Sequence, residues 1–300
     1  MARQGSAAGW SERARVATMQ PRHFRRFCEI AYSRAGILLK EGKESLVAAR
    51  VAKRMRALGL SSEKDYLDHL DAEGAEEELV NFLDAISTNF TGFFREPDHF
   101  TALDELVRER IAAGRRRLRI WSAASSSGEE PYTIAITVAE ALEQTGCRSL
   151  DHRILATDIS TRVLARARAG VYTEHALGPV DRGLRSRHFT RRVNGQRLFE
   201  VKDALKESVV FKRLNLSTPP FPMRGPLDVV FCRNVMIYFD RRVRQALVAE
   251  IERLLAPDGV LFTGHAETLA GIDTGLRAVR PSVYCRAGHP ALESGGGRRK

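Results

Sequence analysis

The chain has 300 residues, 43% of them hydrophobic and 28% charged, and carries a formal net charge of +11. That is apolar material for one large domain or two ordinary ones. No run approaches the roughly 18 apolar residues of a membrane span, and the polar, Arg-containing N-terminus lacks the apolar core of a signal peptide, so membrane insertion is excluded and a cytoplasmic protein is expected.

The positive charge favours an acidic partner without choosing among nucleic acid, an anionic membrane surface and an acidic protein. Cys28, Cys147, Cys232 and Cys285 match no CxxC or Cys/His pattern, so free thiols are expected and no metal site.

Residues 1 to about 20 mix Gly, Ser, Ala and Arg without a period and read as a mobile leader. Helical patterns follow. Phe24, Phe27, Cys28, Ile30 and Ala31 form one apolar stripe that ends near Gly36. Leu46 to Leu58 carries Leu46, Val47, Ala49, Val51, Met55 and Leu58 beside the cations Arg50, Lys53, Arg54 and Arg56, and Gly59 stops it. Ser61 or Ser62 caps a third helix holding Tyr66, Leu67 and Leu70, and a fourth runs from Ala75 to about Ser87. No strand pattern precedes residue 117, so an all-helical module comes before an α/β pattern. A row of Arg and Lys is most often a solvated face; the functional alternative is electrostatic docking of an acidic helical partner.

Thr88-Asn89-Phe90-Thr91-Gly92-Phe93-Phe94-Arg95-Glu96-Pro97 is an odd linker, since an inert one is polar and flexible. Its aromatics, with Asn89 and Thr91 as hydrogen-bonding groups and Arg95 as a fixed cation, predict a segment that folds back into a pocket; an aromatic hinge between two modules is the plainer reading.

The stretch around which the rest is organised is Leu118 to Leu142. It comprises a strand, Leu118–Trp121, a small-residue turn, Ser122–Gly128, and a helix with Ile134, Ala135, Val138, Ala141 and Leu142 on one face. Small side chains at the end of a parallel strand let a ligand approach the backbone. Glu129 and Glu130 in the first helical turn argue against a phosphate, and neither G-x-G-x-x-G nor a P-loop is present. Carboxylates there suit a cofactor with an amino group and a sulfonium, which points to S-adenosylmethionine; complementing the helix dipole is the competing explanation.

A second βα unit follows, with a strand at Arg153–Thr157, Asp158 just after it and a helix from Thr161 to Ala169. Asp158 stands where doubly wound folds place an acidic residue on ribose hydroxyls, although an Asp there also caps helices. His188–Val201 reads as a hairpin about an Asn194-Gly195 turn, and Val209–Phe211 as a third strand of the same small antiparallel insertion. Leu227–Cys232 is the strongest strand, nearly all apolar as a central parallel strand should be. It runs into Arg233–Asp240, a helix from Arg241 to Leu255, the turn Pro257-Asp258-Gly259 and a strand from Val260 to Thr263, while Val283–Cys285 closes the sheet.

Four of these segments together resemble the bacterial chemotaxis receptor glutamate O-methyltransferases, the CheR family: Thr88–Glu96, Trp121–Tyr132, Ala156–Ile159 and Phe231–Asp240. Pro257-Asp258-Gly259 and Gly264-His265-Ala266-Glu267 add weaker agreement, and the resemblance spans about residues 20 to 286 in order. It implies a Rossmann-like S-adenosylmethionine-dependent α/β methyltransferase domain over 99–287, with an inserted antiparallel β-subdomain at about 186–213. A helical receptor-docking domain over 21–87, a linker at 88–98 that contributes to the cofactor site and a disordered tail over 288–300 complete the organisation.

The resemblance also implies the activity. Glutamate side chains on the cytoplasmic helical bundle of methyl-accepting chemotaxis receptors would be methylated, leaving S-adenosylhomocysteine. Carried onto matching positions, the cofactor contacts are Asn89, Thr91, Arg95, Glu130, Asp158, Asn215, Leu216, Asn234 and Val235, with Glu130 on the methionine amino group and Asp158 on the ribose. Arg95 and Tyr238 would act on the reacting groups, and Arg50, Lys53, Arg54 and Arg56 match the proposed receptor-docking helix. A glutamate of pKa near 4.3 is already ionised at neutral pH, so no general base is needed and His265 is read as structural. Phe93, Phe94 and Tyr238 are expected to form a dry wall. A monomer is expected, with no nucleic-acid partner. The rival readings are a noncatalytic S-adenosylmethionine-binding regulator and a nucleic-acid methyltransferase; against the second, no amino-methylating Asn/Asp-Pro-Pro-Tyr/Trp motif is present. The short, Arg-rich hairpin loop leaves open whether the insertion binds a receptor C-terminal peptide.

Overall fold

A computed structural model describes residues 19–87, 90–194 and 196–288. The leader up to residue 18, the linker residues Thr88 and Asn89, and the tail beyond residue 288 lie outside the described residues. The helical module comprises α1 (Pro21–Ala35), α2 (Glu44–Leu58), α3 (Glu63–Asp71) and α4 (Glu76–Ile86). Ser62 caps α3 by accepting from Asp65 N, and Gly36 and Gly59 end α1 and α2 at φ 68° and 69°, a region glycine enters without a Cβ penalty. Phe27, Tyr66 and Phe82 meet at the centre of this module with ring centroids 5.6–6.3 Å apart.

After α5 (Asp98–Ala112) the chain alternates β1 (Arg117–Ala123), α6 (Glu129–Thr145), β2 (Asp151–Asp158) and α7 (Thr161–Ala169). Then come β3 (Val171–Thr173), α8 (Arg182–His188), β4 (Phe189–Asn194), β5 (Gln196–Val201), α9 (Asp203–Lys206) and β6 (Val209–Arg213). The last stretch is β7 (Leu227–Cys232), a 3₁₀ turn at Met236–Tyr238, α10 (Arg241–Leu254), β8 (Leu255–Thr263), β9 (Leu276–Arg280) and β10 (Val283–Arg286). The main sheet has the order β6-β2-β1-β7-β8-β10-β9, parallel from β6 to β8 and antiparallel thereafter.

Side chains that alternate along β7 supply both layers, the arrangement a sheet covered on both faces requires. Val229 and Phe231 join Phe100, Leu103 and Ile134 on one face, whereas Val230 and Cys232 join Leu247, Val248 and Ile251 of α10 on the other.

The antiparallel insertion differs from the expected span of about 186–213. Its three strands are β3, β5 and β4, while β6 pairs in parallel with β2 at the edge of the main sheet. Val209 and Phe211 are buried under α6 and α9, so this run gains more by covering the main core than by extending a solvated ribbon. Among the described residues no helix is long and apolar enough to cross a membrane.

Candidate active site

The turn after β1 is tight and conformationally unusual. Ala124 and Ser126 have φ 145° and 46°, strained for residues with a Cβ, and Gly128 has φ 99°. A Cβ on Gly128 would lie 2.7 Å from Tyr172 Oη and 2.9 Å from Ala167 Cβ, so only glycine lets α6 start this close to α7. Tyr172 donates to Ser127 O at 2.8 Å and fixes the turn from the inserted subdomain.

Asp158 ends β2 beside this turn. Its Oδ2 accepts from Ser126 N at 2.9 Å and its Oδ1 from Ser160 N at 3.0 Å. Burial pushes its carboxyl above the usual range, opposed by these two amides. Glu130 is held differently, accepting from Ser122 Oγ at 2.7 Å and from Arg233 Nη1 at 3.0 Å. Burial also pushes Glu130 up, with Arg233 pulling it back.

Arg233, its side chain 1% exposed, carries no local signal in the sequence, yet it sits at the centre of the site. It stands just beyond β7, donating from Nη2 to Glu96 Oε2 at 2.9 Å and to Arg95 O at 2.6 Å, with Phe100 and Phe231 rings beside its Cζ at 5.4 and 6.0 Å. It therefore ties the linker, α6 and β7 together. Glu96 is held below the usual carboxylate range because these donors outweigh its burial.

A cavity of about 980 Å³, counted to its open mouth, collects these groups. Its wall includes Thr91, Arg95, Glu130, Asp158, Asn215, Leu216, Asn234, Val235 and Tyr238, so nearly every expected contact faces one space; Asn89 lies outside the described residues. The linker folds back as its composition predicts, Phe90, Thr91, Gly92 and Arg95 all lining the cavity. Ala35, Ile37, Leu83 and Ser87 of the helical module line it too. Asn215 donates to Arg34 O at 2.9 Å, holding the module against the sheet. Two half-buried carboxylates and two asparagines, without a nest of bare amides, fit a ligand bearing an ammonium and hydroxyls better than a polyphosphate. S-adenosylmethionine fits that donor set.

Arg95 donates to Phe90 O at 2.7 Å and lies 5.3 Å over the Phe90 ring. Phe90 is 73% exposed. Of the expected aromatic wall, Tyr238 lines the cavity, but Phe93 is buried against Tyr172 and Phe189 and Phe94 packs on Phe100; Phe90 and Phe239 line the cavity in their place. The chain turns at Phe93 and Phe94, the latter at φ 53°, and this turn sends the two rings to different neighbours.

The basic row on α2 is also not one solvated face. Arg50 donates to Ala85 O and Ser87 O at 2.6 and 2.7 Å, and Arg54 forks onto Glu78, while Lys53 and Arg56 are exposed. His265 Nε2 lies 3.1 Å from Asp98 Oδ2 and outside the cavity wall. Among the described residues, Glu96, His99 and His265 gather one ligand-type atom each within 4.8 Å. The shared Glu96 oxygen already faces the Arg233 cation.

A doubly wound sheet with two carboxylates at the ends of adjacent βα units defines the class of S-adenosylmethionine-binding methyltransferases, and comparison with known proteins places the chain within it. Residues 89–285 match the CheR methyltransferase SAM-binding domain and residues 22–87 the CheR methyltransferase all-alpha domain. The chain belongs to the CheR methyltransferase family. It is 41% identical over 251 residues to the chemotaxis protein methyltransferase of Salmonella typhimurium, covering 83% of this chain and 85% of that protein. It is 41% identical over 265 residues to chemotaxis protein methyltransferase 2 of Pseudomonas aeruginosa, covering 88% and 92%. Among solved structures, a TehB-like SAM-dependent methyltransferase from Corynebacterium glutamicum overlays with a TM-score of 0.30 and 15% identity, over 56% of this chain and 72% of that one.

Proposed function

We propose that this methyltransferase esterifies glutamate side chains on the helical bundle of methyl-accepting chemotaxis receptors, giving glutamyl methyl esters and S-adenosylhomocysteine. The observation that carries the reading is Arg95 at the cavity wall: among the described residues it pairs with no carboxylate, whereas its neighbour Arg233 pairs with two. An uncommitted guanidinium beside a cofactor cavity suits an incoming carboxylate.

A substrate glutamate is ionised at neutral pH and brings its own nucleophile, so the site has to align and desolvate rather than remove a proton. Arg95 orients the carboxylate, and its pairing must be weak enough to leave an oxygen free to attack. Tyr238, on the 3₁₀ turn of the cavity wall, directs the same group through its hydroxyl. Glu130 holds the cofactor's amino group and Asp158 its ribose, while Phe90 and Phe239 exclude water. S-adenosylmethionine held there would supply a methyl on a positively charged sulfur, and that sulfur would keep the electron pair of the bond given up as the carboxylate oxygen takes the methyl.

Purified protein incubated with methyl-labelled S-adenosylmethionine and receptor-containing membranes should place label in the receptor band, released as methanol by mild base. Arg95→Ala should lower that rate on the order of 10²-fold. Base-stable label, label in RNA, or cofactor binding without transfer to any receptor would overturn the reading.

A further inference from the structure

Asp84 lies on α4 of the helical module, outside every motif of the sheet domain, yet its side chain is 2% exposed at the boundary with that domain. Its Oδ2 accepts from Ser160 Oγ at 2.8 Å, from Arg162 Nε at 3.0 Å and from Arg162 Nη2 at 2.9 Å. Ser160 is 1% exposed, so it has no water with which to replace that partner. The same serine caps α7 by accepting from Val163 N at 3.3 Å, and its own N–H donates to Asp158 Oδ1 at 3.0 Å. The hydrogen bonds thus run without a break from a helix of one domain to the carboxylate at the cavity wall of the other. Leu83, next to Asp84 in the chain, lines that cavity itself.

We propose that Asp84 is a positioning residue for the cofactor: through Ser160 it fixes the turn that presents Asp158, so the helical domain sets cofactor affinity. This rests on the reading of Asp158 as the ribose ligand. The effect is geometric rather than electrostatic. The Asp84 charge is of the same sign as Asp158 and disfavours its ionisation, while Arg162 pairs with Asp84. A neutral side chain that still accepts a hydrogen bond should therefore serve, and one that accepts none should not.

Calorimetric titration with S-adenosylhomocysteine tests this without any receptor. Asp84→Ala should raise Kd about tenfold, the loss of roughly one buried hydrogen bond to an ionised group. Asp84→Asn should stay within about twofold of wild type, because the carboxamide oxygen still accepts from Ser160. Ser160→Ala also uncaps α7, so it should weaken binding at least as much as Asp84→Ala, and the double variant should be no weaker than Ser160→Ala, in which the Asp84 link is already broken. A residue that merely stabilises the domain boundary would lower the melting temperature of all these variants and leave Kd at 25 °C unmoved. If Asp84→Ala does not fold, Ser160→Ala and Asp84→Asn carry the comparison. Wild-type affinity in Asp84→Ala and Ser160→Ala, alongside weak binding by Asp158→Ala, overturns the proposal and leaves the ribose reading standing. Wild-type affinity in Asp158→Ala as well overturns both.

Discussion

Glu130 and Asp158 face one cavity from successive βα units, and the chain holds them by opposite means. Asp158 accepts two backbone amides, from Ser126 and Ser160, whose positions follow from the turns themselves. Glu130 depends on two side chains, Ser122 and Arg233, and through Arg233 on Glu96 of the linker. A carboxylate held by backbone tolerates changes in neighbouring side chains as long as the turn keeps its place. One held by a buried cation stands or falls with that cation.

The largest effect should therefore come from Arg233. Arg233→Ala would leave Glu96 and Glu130 without their counter-charge and destabilise the fold by about 3–5 kcal/mol, read from urea denaturation. Arg233→Lys keeps the charge but loses the fork that reaches both carboxylates and Arg95 O, and should fall between that variant and wild type. If Arg233→Ala cost no more than Ser126→Ala, the contrast between the two carboxylates would break.

Next comes cofactor affinity against pH. A raised carboxyl protonates earlier on acidification than an ordinary glutamate does, so Glu130 loses its charge as pH falls toward the upper edge of the carboxylate range. Calorimetric titration with S-adenosylhomocysteine between pH 5 and 8 should show affinity rising with pH. Glu130→Gln should weaken binding about 10- to 100-fold at pH 8 and reduce the dependence, leaving the part that belongs to Asp158, whose carboxyl burial also raises.

His99 sharpens the contrast from the Arg233 side. Burial, and less strongly the Arg233 charge, push it down to about 4. The folded value lies below the unfolded 6.5, so the unfolded chain binds the extra proton between them, and stability is full above pH 6.5 and lost as pH falls toward 4. His99 should contribute a loss of about 2 kcal/mol between pH 7 and pH 5, read as the difference between wild type and His99→Gln in urea midpoints at the two pH values.

The smallest effect concerns the same division between committed and uncommitted charge on α2. Reversing the exposed pair, Lys53→Glu with Arg56→Glu, should raise the KM for receptor several-fold at low salt, with no change in S-adenosylhomocysteine affinity. Arg54→Ala should instead destabilise the helical domain, because the buried Glu78 loses its cation and keeps the Tyr66 hydroxyl as a neutral donor.

The backbone-held half of the site was the legible half. Small residues in the turn before Glu129, and an acidic residue at the end of the next strand, are local signals, and α6 and α7 lie where the apolar spacing puts them. Arg233 carried no such signal, since its partners Glu96 and Glu130 are more than 100 positions away in the chain. The partners of Arg50 and Arg54 are hidden for the same reason: helical spacing shows which residues share a face but not that α4 brings Glu78, or its last turn the Ala85 and Ser87 carbonyls, against it. The strand at Val209–Arg213 was given to the hairpin because a short apolar run looks alike in a ribbon and in a parallel sheet, and its partner β2 is about 50 residues upstream. Helix α5 was passed over, although Phe100, Leu103 and Val107 recur at helical spacing and all are buried.

The cavity wall draws on residues from Ala35 to Phe239. During synthesis the helical domain and linker leave the ribosome well before β7 and the 3₁₀ turn exist, so a nascent chain has half a wall and nothing to close it against. Cofactor cannot template the early stages of folding; it can only trap the product once residue 239 has emerged and the sheet has formed. A truncation ending before β7 should therefore gain no protease resistance from S-adenosylhomocysteine, whereas the full chain should.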